Sequence, residues 1–215
     1  MTTPDTLAPQ GRRRTLIYLL VDRSGSMERI ASDVVGGINA FFDTQREAGT
    51  DGATATLIQF DSQDPHHILW AGRPLAEVRP IGPGDFVPRG GTPLLDAIGR
   101  AIGLVDREVA EADAIGAEIL VEFAIVTDGE ENSSTEFRLD AIRQMIEDRR
   151  ARGWTVSYLS ADANAFADAQ QMGIALHDTA HFRATGPEAR GAIVNMSRAM
   201  SDRRTAWGAG SGEAR

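Results

Sequence analysis

The stretch "AEILVEFAIVT", residues 117 to 127, constrains the fold more than any other. It is a nearly unbroken apolar run, and a strand apolar on both faces must be covered on both faces, as the central strands of parallel sheets are. A second run, Thr15 to Val21, is also short enough for a buried strand. Each gives way to an acidic loop, "DRSGS" after the second and "TDGEEN" after the first.

The rest of the chain alternates around these two runs. From Met27 to about Glu47 the apolar residues Ile30, Val34, Val35, Ile38, Phe41 and Phe42 mark one face of a 3.6-residue period. Gly36 and Gly37 within it cost about 1 kcal/mol each relative to Ala, and close packing on the sheet is the expected compensation. "ATATLIQF" (53 to 60) and "HHILWAG" (66 to 72) read as strands joined through "DSQDP", an antiparallel hairpin at one sheet edge. Thr92 to about Val109 has helical spacing. After the central run come a helix ending near Arg152 with Gly153 as its stop, a strand at "WTVSYLS" and a short helix at "ANAFADAQQMG". A strand near 174 to 177 and a final helix from about Pro187 complete the pattern. Strands alternating with helices predict an α/β fold, Rossmann-like and doubly wound. Its sheet is mostly parallel, with about six strands, one antiparallel edge strand and helices on both faces. Residues 1–13 and 206–215 read as tails around one domain at 14–205.

Composition narrows the function classes. The 215 residues carry a net charge of −9, which argues against nucleic acid or an anionic membrane as the main partner and leaves acidic groups for a hard cation. There is no Cys, so thiolate catalysis, disulfides and Cys-ligated zinc are excluded. No apolar run approaches the ~20 residues of a membrane helix. The arginines of "GRRRTLIYLLVD" precede an apolar run that is broken by Asp22 and followed by no small-residue cleavage site, so a cytoplasmic location is expected.

In a doubly wound sheet, ligands bind beyond the carboxyl ends of the strands. "DRSGS" (22 to 26), "GGTPL" (90 to 94) and "TDGEEN" (127 to 132) all belong at such ends, so Asp22, Ser24, Ser26, Thr92 and Asp128 can meet at one point. Three hydroxyls and two carboxylates form an all-oxygen donor set, suited to Mg²⁺ first and to Mn²⁺ or Ca²⁺ as well. If the hydroxyls bind directly and the carboxylates act through water, the shell is neutral and favours an anionic ligand from another molecule.

Together the three motifs, in this order, resemble the metal-ion-dependent adhesion site of von Willebrand factor A domains. The alternation from about 15 to 200 matches that fold throughout. The resemblance implies that Ser24, Ser26 and Thr92 are direct or near-direct ligands, and that Asp22 and Asp128 hold coordinated waters and the serine hydroxyls. It also implies a protein partner that completes the coordination with an Asp or Glu. "TDGEENSS", "YLSADANAFADAQQMGI" and "NMSRAMSDRR" are similar to stand-alone bacterial members related to tellurium-resistance-associated proteins. A bacterial stress-response or assembly role is the corresponding expectation.

Each motif has a plainer reading. "DRSGSM" fits a helix N-cap, "GGTPL" a turn with Pro93 in the first helical position, and Asp128-Gly129 a strand-to-helix turn. His66 and His67 are neighbours on a strand and point to opposite faces, which disfavours shared zinc ligation. Arg23 and Arg89 flank the motif loops, as exposed surface residues or as a rim that attracts an acidic partner. Glu130 and Glu131 fit solvated roles or support of the site equally. Two rival functions stand beside metal-dependent protein binding: a subunit working with an AAA+ ATPase of the chelatase kind, and a small metal-dependent phosphohydrolase. Ser24 stands where a haloacid-dehalogenase-like phosphatase needs its second Asp, and no nucleophile elbow, Walker loop or dinucleotide turn is present, so no catalytic residue is assigned.

Overall fold

The computed structural model describes residues 13–209. Its strands are β1 (Arg14–Asp22), β2 (Ala53–Asp61), β3 (Asp64–Pro74), β4 (Ile119–Thr127), β5 (Thr155–Ser160) and β6 (Thr179–His181). They form one sheet in the order β3-β2-β1-β4-β5-β6. Only β3 pairs antiparallel, as the hairpin reading requires. Its tight reversal is held by Asp61, whose Oδ1 accepts the N–H groups of Gln63 (2.8 Å) and Asp64 (3.0 Å), a side chain standing in for a backbone acceptor.

Five helices cover the sheet: α1 (Ala31–Glu47), α2 (Leu94–Ala114), α3 (Leu139–Ala151), α4 (Ala165–Gln171) and α5 (Gly186–Ala209). Because side chains alternate along a strand, β1 feeds two cores at once. Ile17, Leu19 and Val21 pack with α1 and α5, while Leu16, Tyr18 and Leu20 pack with α2, α3 and α4. Each such fully buried aliphatic contributes about 1.5–3 kcal/mol of transfer free energy. No described helix is long and apolar enough to cross a membrane.

Several local expectations shift. A 3-10 turn, Gly25–Ile30, precedes α1, so the regular helix starts four residues later than its apolar period suggests. The Gly36-Gly37 pair faces α5 instead of the sheet: a methyl on Gly37 would stand 2.8 Å from Ile193 Cδ1, and one on Gly36 3.6 Å from the Arg190 side chain. The strand expected near 174 to 177 lies further on, at β6, because Ile174 is buried beneath α4 and its N–H closes that helix on Ala169 O. At the other end α5 continues to Ala209, past the boundary expected at 205. Arg13 holds that last turn, its guanidinium 5.2 Å from the Trp207 ring and bonded to Gly208 O. Otherwise the expected tails, at 1–12 and 210–215, lie outside the described residues.

This order creates the crevice that matters. The chain leaves β1 for β2 on one side and returns to β4 on the other, so the loops after β1 and β4 diverge at a switch point. Val21 is in register with Val126, which puts Asp22 beside Thr127 at the carboxyl edge.

Candidate functional site

Asp22 ends β1 and is fully buried. Its Oδ1 accepts the Ser24 N–H (2.7 Å) and its Oδ2 the Thr127 hydroxyl (2.6 Å), so β4 orients the carboxylate of β1. The next two hydroxyls extend the chain: Ser24 Oγ lies 3.0 Å from Ser26 Oγ, which donates to Asp128 Oδ1 at 2.6 Å. Thr92, 2% exposed, comes in from the loop before α2. Its N–H donates to Asn132 Oδ1 (2.9 Å) and its carbonyl accepts from Asn132 N (3.1 Å), which fastens it to the loop after β4. Gly129 links the second loop to this chain of bonds, since a methyl there would stand 3.6 Å from Ser26 Oγ and 3.7 Å from Thr92 Oγ1. Asp22, Ser24, Ser26, Thr92 and Asp128 are thus brought together from three loops.

Burial pushes the Asp22 carboxyl up to about 6, against the Thr127 and Ser24 hydrogen bonds and helped by the Asp128 charge. Burial also raises Asp128, outweighing the Ser26 hydroxyl and the Arg29 charge. Desolvated carboxylates without a bonded cation sit above their ordinary values for this reason.

The plainer readings of the hydroxyls do not describe what they do. Ser24 stands at the N-cap of the 3-10 turn without a side-chain capping bond. Pro93, not Thr92, is the N-cap of α2, and again no side chain caps it. Thr92 Oγ1 has no hydrogen-bond partner among the described residues and is not a fully buried atom. His66 and His67 lie on β3, and among the described residues no three His, Cys, Asp or Glu side chains form a metal-ligating group. Any cation held here would therefore depend on the hydroxyls.

The arginines beside the motifs are both bonded; Arg89 is exposed as expected, whereas Arg23 is buried. Arg23 is 5% exposed and its Nε and Nη2 reach Asp61 Oδ2 at 2.8 and 2.6 Å; Arg89 Nε reaches the same oxygen at 3.0 Å. Burial alone would raise the Asp61 carboxyl, but these bonds and the two turn N–H groups hold it below its ordinary value. Asp61 thus clamps the first and second loops, and backbone bonds reinforce it: Gly25 N to Gly90 O (3.0 Å) and Arg89 N to Arg23 O (2.9 Å). Gly90 is required at this contact, with φ of 66° and a methyl there only 2.5 Å from Ser62 Oγ.

Glu131 supports the site from outside. It accepts from Leu95 N at the start of α2 (2.9 Å) and from the Ser133 and Ser134 N–H groups (2.9 and 2.7 Å), while Glu130 is exposed. Asp96, 4% exposed, binds the Thr135, Glu136 and Phe137 N–H groups within 2.9 Å and so fixes the segment between β4 and α3. Asp61, Thr127, Asp96 and Asn132 escaped the sequence reading. Thr127 alone left a signal, as the residue preceding Asp128 at a strand end.

No protein-family profile matches the sequence, and no curated protein matches it. Solved structures do match in shape. The pilus adhesin SpaC from Lactobacillus rhamnosus GG superposes with a TM-score of 0.64 at 16% identity, over 90% of this chain and 31% of the adhesin. A von Willebrand factor type A protein from Catenulispora acidiphila gives 0.60 at 16% identity, over 90% of this chain and 43% of that one. The vWF domain of the type V pili tip protein Mfa5 from Porphyromonas gingivalis gives 0.61 at 10% identity, over 89% and 96%. The chain spans less than half the length of the first two. At these identities the likeness concerns architecture, and the chain has the fold of the von Willebrand factor A domains.

Proposed function

We propose that this chain is a metal-dependent protein-binding module that captures an acidic residue of a partner at the Asp22–Asp128 site. One observation carries the reading: five oxygen-bearing side chains from three loops are gathered at the switch crevice, and among the described residues no protein cation is bonded to them. Ser24, Ser26 and Thr92 would hold a Mg²⁺-type ion with Asp22 and Asp128 behind them; Mn²⁺ and Ca²⁺ suit the same donors. Bound there, the ion supplies a Lewis-acidic position for a carboxylate from outside. The chain's own part is to fix the donors beforehand, through Thr127, Asn132 and the Asp61 clamp.

Adhesin and pilin domains among the structural neighbours support an interaction role over catalysis. So does the state of the serines, which are bonded to one another and to Asp128, with no imidazole among their described partners. A bacterial, cytoplasmic stress-response setting, suggested by the resemblance of its motifs to tellurium-resistance-associated proteins, is part of the same proposal.

The test is calorimetric titration of the full chain with MgCl₂, beside the Ser24→Ala/Ser26→Ala variant. We expect saturable binding that falls at least about 100-fold, with unchanged circular dichroism, since losing two oxygen donors costs several kcal/mol. Equal Mg²⁺ affinity in the variant overturns the reading.

A further inference from the structure

Next to this site is a cavity of about 430 Å³, between the start of α2, the segment after β4, and α4. Its walls are apolar: Leu94, Tyr158 and Met172 are buried there, with Leu95 and Leu139 toward the opening. Three carboxylates also line it, and they differ. Glu131 is saturated, its two oxygens taking four bonds from Leu95, Ser133 and Ser134. Glu130 and Asp168 have no cation or hydrogen-bond donor among the described residues. Burial raises the Asp168 carboxyl, and the Asp162 and Glu130 charges raise it further, as expected of acids grouped without a counter-ion. Gly129 lines the cavity and also faces Ser26 and Thr92, so one residue separates the two sites.

We propose that this cavity receives a lysine or arginine side chain of the same partner whose acidic residue binds at Asp22–Asp128, a proposal that rests on the metal-site reading. Apolar walls beside two carboxylates without a cation among the described residues, Asp168 half-buried and Glu130 exposed, match a side chain with a methylene stem and a cationic head. A purely apolar occupant would cover Glu130 and Asp168 without pairing them, which is costly, and an anion would be repelled. The chain's charge of −9 favours a basic residue in the approach as well. Arg138 and Arg143 lie on the adjoining groove, and Arg143 is held by Glu147 at 2.9 Å. The partner segment recognised is thus of mixed charge: an acid for the metal and a base beside it.

Two titrations of the full-length, ¹⁵N-labelled chain test this. The first uses n-butylammonium and 1-pentanol in EDTA, where the metal site has no part. We expect saturable amide shifts at Gly129, Glu130 and Met172 with the cation, at least about tenfold weaker with the alcohol and in Glu130→Gln/Asp168→Asn. Equal response to the alcohol, or an unaltered response in the variant, overturns the cation subsite. The second uses glycine-based peptides with one Asp and one Lys separated by one to four residues, in MgCl₂. At least one spacing should bind about tenfold or more tighter than the Asp-only and Lys-only peptides, because linking makes the second contact intramolecular. No gain at any spacing overturns the paired recognition. Loss of Mg²⁺ binding by itself would overturn only the metal reading, since the first titration is independent of it.

Discussion

At the end of β2, Asp61 meets two arginines and two backbone N–H groups; at the ends of β1 and β4, Asp22 and Asp128 meet only hydroxyls and backbone N–H groups among the described residues. Both acids at strand ends, Asp22 and Asp61, are fully buried, and they end the neighbouring strands β1 and β2, Asp61 one residue beyond Phe60, the register partner of Asp22. Yet burial lifts the Asp22 carboxyl while the arginines lower that of Asp61. The difference separates an acid that completes the fold from an acid left for something else. A charge that the chain neutralises itself works as a clamp. One that it desolvates and leaves without a bonded cation among the described residues is a group that a cation would stabilise.

The widest gap between the two sides is expected in stability. Asp61→Ala strands Arg23 in the interior without its partner, and breaking a buried pair in this way costs about 3–5 kcal/mol. Asp128→Asn removes a charge to which no cation is bonded among the described residues, so unfolding in urea with EDTA present should leave it within about 1 kcal/mol of the parent. Mg²⁺ affinity should behave inversely, lost in Asp128→Asn. A destabilisation of Asp128→Asn as large as that of Asp61→Ala would erase the distinction.

The same contrast explains what the sequence disclosed. β1 and β4 were legible because burial on both faces writes an unbroken apolar run, and their ends then located Asp22 and Asp128. With Thr92 ahead of a helical period, the candidate donors could be named, because strand order brings such loops together. Asp61, Asp96 and Glu131 could not be assigned, since each acts on loops 28 to 41 residues away through pairings that leave no periodic trace. Arg23 looked like surface by residue type, and only its partner reveals that it is interior. Gly36 and Gly37 announced a close approach but not its other side. β6, three residues long, is too short to carry alternation.

A middle-sized effect should come from Asp96, which resembles Asp61 in being saturated, but by backbone N–H groups. Burial raises its carboxyl, and the Thr135, Phe137 and Glu136 N–H groups outweigh that and leave it below its ordinary value of 3.8. A carboxyl lowered on folding stabilises above its unfolded value, and that contribution is lost as pH falls through the folded value. Asp96→Asn should therefore cost about 1–3 kcal/mol at pH 7. The gap to the parent should narrow as pH drops below about 4, in urea midpoints taken across pH 2.5 to 7. A gap constant over that range would mean that the charge of Asp96 contributes nothing and only its shape matters.

The smallest effect sharpens the comparison within the clamp itself. Arg23 and Arg89 share one oxygen of Asp61, but their side chains are 6% and 42% exposed. Removing Arg89 leaves Asp61 still paired with Arg23 and still accepting two N–H bonds, so the remaining carboxylate is not orphaned. With Arg89 half in water, its bond should contribute about 1 kcal/mol, the upper end for surface pairs. Arg89→Ala should thus shift the urea midpoint slightly, and added NaCl should shrink the difference further, because the arginine faces water. Mg²⁺ affinity should change by less than about threefold, since the first loop keeps Arg23 and the Gly25–Gly90 bond, and all five candidate oxygen donors on the three loops remain. If Arg89→Ala weakened Mg²⁺ binding as strongly as Asp128→Asn, Arg89 would belong to the ion site, and the boundary between the self-neutralised side and the open side would have to move across the second loop.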